Sequence, residues 1–403
     1  MALCAALAAS PAVFAQAISP LEPPDTARYL KWGPFRVRPG LTIPNLGYDS
    51  NVFYRPDGSS LPQEGDYFIA LAPRIEGVVL FGHRAFVTFD ERIEYYAYAT
   101  KSELNYFNQL GAARLTVPFR RFGIYGDAGY IRVRDRPIEL QDARPIRKEA
   151  PLGAGLIVKL GWRTDAELGL TRTRYTANDP DQAGIDTLND RVEHGTRLRA
   201  RYLAFGRTRL LLDASRRTIR FDDTDTAANR DGDERRVLVG LDFGLGGRVF
   251  GTARAGWAKF DLVNPAFSGF RGAVADVALG YSFGGSGSRL TLTGARDVRY
   301  SIFESSNLYV YTGGDLTLVK YFNRFLGAEL GAGRAALDFL DSPVGRQDVY
   351  SSGTVGVRFR ISENDLGRRV EYALRYTRWV LNSSENTLDQ NRGTIGFGVS
   401  FGY

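Results

Sequence analysis

Of 403 residues, 44% are hydrophobic and 24% charged, with a mean hydropathy of −0.23, one Cys and two His. Beyond the N-terminus no apolar run reaches 18 residues, which excludes a helical membrane protein but not a β-barrel, whose alternating strands average to a soluble-looking value. The formal charge is +7, and only six of the 52 basic residues are Lys; the arginines are spread one or two per strand among Asp and Glu, so a nucleic-acid partner is set aside.

Residues 1–15 (MALCAALAASPAVFA) have the apolar stretch and small-residue end of a secretory signal peptide, with Val13 and Ala15 at the cleavage positions before Gln16. The missing basic n-region points to a true start further upstream. Cys4 has no apolar segment ahead of it, which argues against a lipoprotein. Cleavage after Ala15 leaves a chain without Cys, suited to an exported barrel whose closed ladder needs no disulfide. Residues 16–34, with Pro20, Pro23 and Pro24, read as an extended periplasmic leader, and 35–403 as the barrel.

From Phe35 the chain keeps a strand–turn–strand rhythm. A short turn recurs at Phe81–Arg84, Phe119–Phe122, Leu160–Arg163, Ala204–Arg207, Leu245–Arg248, Phe283–Arg289, Phe322–Phe325 and Leu366–Arg369, about every 41 residues. Longer polar loops are expected at 55–66, 99–103, 135–147, 176–190, 222–233, 262–268, 303–306, 340–347 and 382–389. A propeller blade also repeats near 40 residues but needs four short strands per unit, whereas each unit here holds two long alternating runs. Nine loops and eight turns predict an all-β fold, a single transmembrane antiparallel barrel of about 18 strands with short periplasmic turns and longer extracellular loops.

Alternation assigns the faces. In 85–97 the inward set is Thr88, Asp90, Arg92 and Glu94. In 191–203, Val192, Leu198 and Tyr202 face out with His194, while Arg197, Arg199 and Arg201 face in; an Arg facing lipid at the midplane costs about 2–4 kcal/mol, so three must meet a wet lumen. Arg358 and Arg360 lie opposite Val355, Val357, Phe359 and Ile361, and Glu371 and Arg375 opposite Val370, Tyr372, Leu374 and Tyr376. With Arg74, these give a candidate pore lining of Arg74, Arg92, Arg197, Arg199, Arg201, Arg358, Arg360 and Arg375. Paired with the inward acids they stiffen the wall; in excess they favour anions. Segments 207–221 and 305–321 lose their alternation midway.

Catalytic chemistry finds little support. His83 falls in a periplasmic turn and His194 on an apolar face, and neither has a Ser and carboxylate at triad spacing. The acidic loop 221–233 (FDDTDTAANRDGD) matches a calcium loop poorly and reads as a solvated surface loop. Neither a phosphate-cradling loop nor a Cys/His metal spacing is present, so no cofactor, metal or enzymatic activity is expected.

The last strand, RGTIGFGVSFGY (392–403), puts Ile395, Phe397, Val399, Phe401 and Tyr403 on one face and small residues on the other. It resembles the C-terminal β-signal read by the outer-membrane barrel assembly machinery. Near the start, LTIPNLGYDSNVF (41–53) resembles the first strand of the putative β-barrel porin 2 family, and with the hairpin rhythm and terminal strand this likeness covers 35–403. The resemblance implies a bacterial outer-membrane barrel in contact with outer-membrane lipid, and periplasmic polysaccharide-export components as partners, since several family members accompany such systems. The expected function is a channel for polar, anion-favoured solutes or a conduit for exported polysaccharide. The competing readings are a structural or adhesive barrel without conductance and, further off, a barrel enzyme.

Overall fold

The computed structural model describes residues 21–27, 29–82, 84–134, 145–178, 189–223, 229–244, 248–284, 287–301, 307–342, 345–361, 369–385 and 388–402. After a short β1 (Leu30–Trp32) come β2 (Phe35–Asp49), β3 (Asp66–Phe81), β4 (Ala85–Tyr98), β5 (Tyr106–Pro118), β6 (Phe122–Arg134) and β7 (Ile146–Lys159). Next are β8 (Thr164–Asn178), β9 (Arg191–Phe205), β10 (Thr208–Phe221), β11 (Gly232–Phe243), β12 (Val249–Leu262) and β13 (Phe270–Phe283). The last six are β14 (Ser288–Tyr300), β15 (Leu308–Tyr321), β16 (Leu326–Phe339), β17 (Gln347–Ile361), β18 (Arg369–Ser383) and β19 (Gln390–Gly402).

From β2 to β19 every strand pairs antiparallel with the next, and β19 returns to β2 through Ile395↔Tyr48 and Phe401↔Leu41, closing an 18-stranded barrel. Strand β1 is an addition, paired with β2 through Leu30↔Val37 and Trp32↔Phe35. The barrel strands hold 12 to 16 residues, more than the 9–11 a tilted strand needs to cross a bilayer. All eight inter-strand turns fall at the recurring motif, and the nine long connections fall at the other end. Gly82 and Gly206 show why the motif carries glycine: their φ of +61° and +53° is the left-handed conformation that tight turns demand.

The outer face is apolar and exposed, as at Leu198, Val237, Val355, Phe359, Leu374 and Phe397. The upper half of the wall is not uniform. Strands β13 and β14 pair only from Phe283↔Ser288 to Ala275↔Arg296, leaving the extracellular ends of both, from Phe270 and to Tyr300, without this partner. Past that point β14 and β15 continue together to Tyr300↔Leu308 and dip inside. Val298, Tyr300, Leu308 and Val310, outer-facing by register, join a buried cluster with the inner-facing Phe221, Leu238, Phe260 and Val274. The Tyr300 ring stands 4.9 Å from Phe221 and 5.5 Å from Phe260. The opposite face of β15 joins a second buried cluster of Tyr309, Leu337, Phe339, Tyr350 and Leu381.

This folding-in explains the lost alternation of 305–321: Leu308, Tyr309 and Val310 are all buried, so both faces of the strand are apolar. In 207–221 the causes are a register shift at Thr208/Arg209 and arginines, Arg216 and Arg220, on the outer face.

The leader enters the barrel. Leu21 is buried against the inner-facing Tyr125 and Ile157 at the turn end of β6 and β7. Tyr29 donates to Glu76 on β3 at 2.8 Å, so Leu21 and Tyr29 meet the inner wall at two separate places near its turn end. Burial and the Glu76 bond push the Tyr29 phenol up to about 12.

Candidate functional site: the barrel interior

Inward side chains form charged strips on three stretches of wall. On β8–β12 the buried Asp213 carboxylate accepts from Arg197 Nε at 2.8 Å and pairs with Arg199 at 3.0 Å and Arg254 at 3.6 Å. Arg201 lies between Asp165 and Glu167, the latter at 2.9 Å, and Glu167 also accepts from the Tyr125 hydroxyl at 2.9 Å. On β15–β18, Glu329 accepts from Arg358 Nε and Arg375 Nε, each at 2.8 Å. Glu371 pairs with Arg358 and Arg360 and accepts from the Tyr321 hydroxyl at 2.6 Å. The Arg360 guanidinium lies 3.8 Å from the Tyr321 ring centre. On β3 and β4, Arg74 pairs with Asp90 and Glu76, and Arg92 with Glu94.

Several of these contacts skip strands: Arg375 on β18 reaches Glu329 on β16, and Tyr321 on β15 reaches Glu371 on β18. Side chains of strands that are not neighbours converge in this way on the concave side of a sheet, which places these groups in the interior. All eight arginines singled out by alternation therefore sit together with carboxylates, in three groups. Sequence reasoning missed Glu329, Asp213, Arg254 and Tyr321. One signal for them was available: Arg199 and Asp213 are equidistant from the turn glycine Gly206, so a hairpin reflection pairs them.

At the extracellular end, loop residues are tied by charged contacts. Arg55 and Lys101 both bond Glu64 and hold its carboxyl below the usual range. Buried Arg230 donates to the carbonyls of Ser301 and Asn307 at the tip of the β14–β15 hairpin, and burial pushes it down to about 10. Asp49, from the 41–53 stretch, is buried against Arg392 of the closing strand.

His194 lies on the outer face opposite Arg172 and Thr218. Of the acidic loop, Asp222 pairs with Arg174 and Asp233 bonds Thr218, while 224–228 lie outside the described residues, as do His83 and Tyr403. Among the described residues no group of three His, Cys, Asp or Glu is placed to hold a metal ion. On the closing strand Ile395, Phe397 and Phe401 are exposed, whereas Val399 is buried in register with Tyr372 and Ile43.

The family described as "Putative beta-barrel porin 2" matches residues 24–401. None of the curated proteins matches the sequence. Among solved structures, the chain is similar to the outer membrane protein opdK of Pseudomonas aeruginosa, at 12% identity and a TM-score of 0.48, with 91% of this chain and 98% of that one covered. It is similar to a BenF-like porin of Pseudomonas fluorescens Pf-5 at 9% identity, TM-score 0.48 and coverage of 91% and 99%. Against OccAB3 of Acinetobacter baumannii the values are 10%, 0.48, 91% and 99%.

Proposed function

The chain belongs to the putative β-barrel porin 2 family and resides in the bacterial outer membrane, and on that premise we propose that it passes polar solutes with a modest preference for anions. The observation that carries this reading is the convergence of inward arginines, two or more on one carboxylate. Arg197 and Arg199 meet on Asp213, with Arg254 reaching it at 3.6 Å while pairing with Asp276 at 2.8 Å, and on β15–β18 Arg358 and Arg375 meet on Glu329. A guanidinium with spare donors can exchange a carboxylate contact for a passing anion without leaving its place on the wall. Most of the field is cancelled locally, and charges beyond ~8 Å are screened at physiological salt, so selectivity is weak and grows as salt falls.

In planar bilayers the purified barrel should show a reversal potential displaced toward the anion, and Arg197, Arg199 and Arg201 changed together to Gln should shrink it. Cation preference would overturn the anion reading. A barrel that never conducts would return the structural alternative. A second reading, a conduit for exported polysaccharide, is favoured by inner-facing aromatic pairs near the extracellular end, Tyr96 with Tyr106 at 4.6 Å and Phe68 with Tyr98 at 5.7 Å, since sugar faces stack on such rings. Block of the current by an anionic polysaccharide, lost on Tyr96→Ala, supports it. No enzymatic role is proposed.

A further inference from the structure

On the outer face, near the extracellular ends of β10–β13, four cations stand directly opposite one another across successive strands. The register gives Arg216↔Arg235, Arg235↔Lys259 and Lys259↔Arg271. All four are exposed, Arg216 to 62% of its side chain. Like charges placed directly opposite destabilise a sheet, and here three such pairs follow in one row. Relief from the protein is partial. Asp233 comes within 3.6 Å of Arg216 and Asp261 within 2.7 Å of Lys259, both one row nearer the loops. Arg235 and Arg271 have no ion pair or hydrogen bond from their side chains among the described residues.

Directly beneath the row the surface changes character. Leu198, Ala214, Val237 and Trp257 line an outward groove of about 460 Å³ whose upper edge is Arg216, Arg235 and Lys259. These apolar residues belong to the belt that faces lipid, and Trp257, half exposed, has the amphipathic ring that favours a membrane interface. We propose that this face binds a phosphorylated glycolipid of the outer leaflet, its phosphates on the cation row and one acyl chain in the groove. The length of the row selects the headgroup. Three inter-strand gaps of about 4.8 Å spread the charges over roughly 14 Å, too far for one phosphate to satisfy and suited to a headgroup with two or more. The groove selects a lipid over a water-soluble polyanion, because its walls lie in the hydrocarbon zone.

The row also gives one of the two outward arginines in 207–221 a use: Arg216 stands directly above the apolar Ala214, Leu212 and Leu210 of the same face, where a headgroup needs it. Nothing in this proposal depends on whether the lumen conducts.

The test uses the intact barrel extracted in mild detergent, with bound lipid read by native mass spectrometry and affinity by titration with purified lipopolysaccharide. Each charge removed should weaken binding about fivefold, so Arg235→Gln with Lys259→Gln should lose roughly 25-fold. Arg235→Lys should keep most of the affinity, and Arg334→Gln, an outer-face arginine on β16 outside the row, should change nothing. Retained heat-modifiability shows that the variants are folded. Equal binding by the wild type and the double variant would overturn the site, as would binding of inorganic phosphate as tight as that of the lipid.

Discussion

Glu329 is the residue on which two inward arginines depend. Replacing it with Gln leaves Arg358 paired to Glu371 and Arg375 without its carboxylate, at a cost of about 1–3 kcal/mol for the lost charge-assisted bonds. The expected result is a lower thermal transition together with a larger anion displacement of the reversal potential. An unchanged potential would mean that Arg375 does not face the conducting path. Glu64 gives a different, pH-dependent prediction. Its folded carboxyl is held down by Lys101 and Arg55, so its contribution is present above the unfolded carboxylate range and is lost as pH falls through the folded value. Limited proteolysis within 55–64 should therefore accelerate in acid, and Glu64→Gln should show the faster rate already at neutral pH.

At the scale of strands, the point where β14 leaves β13 is marked by glycines. Gly294 faces Gly314 across β14 and β15, and a Cβ on Gly314 would lie 2.6 Å from the Thr293 carbonyl oxygen. Gly314→Val should cost about 1–3 kcal/mol by overpacking and lower the temperature at which the barrel loses its compact gel mobility. Gly353→Val on β17 is the control, because a Cβ there meets nothing within 4 Å. The strands themselves were readable from sequence because turn chemistry and period-two alternation are local properties. Eighteen strands, eight turns and nine loops follow from residues such as Gly82, Gly206 and the outward Leu198 and Val355. The dip of β14 and β15 was not readable: Leu308, Tyr309 and Val310 look like any buried run until the partners of Leu308 and Val310 on β10–β13, and of Tyr309 on β16–β18, are known. The leader's entry was equally hidden, because Leu21 has its partners more than 100 residues away. The charged strips fall between these cases. Alternation found the arginines, but which carboxylate each one meets depends on register and on the curvature of the wall.

Among the described residues, segments lie against the inner wall at both ends, the leader at the periplasmic end and β14–β15 at the outer one. Tyr300 holds that hairpin through two rings and a bond from its hydroxyl to the Arg230 carbonyl. Tyr300→Ala should release it at a cost of about 3–5 kcal/mol of packing, with larger unit conductance and more open-channel noise. Identical current steps in variant and wild type would place the narrowest point elsewhere, with the leader next in line. The separation of β13 from β14 has a geometric consequence. In a closed ladder, strand number and stagger fix the radius. The lower half of this barrel is such a ring, but the upper half is a scroll, two margins overlapped and held by greasy side chains, the Arg236–Asp297 ion pair and the bonds of Arg230. The outer bore is therefore set by side-chain packing, the overlap of Tyr300, Val298 and Val310 on Phe221, Phe260 and Val274, and the lower bore by the hydrogen-bond ladder.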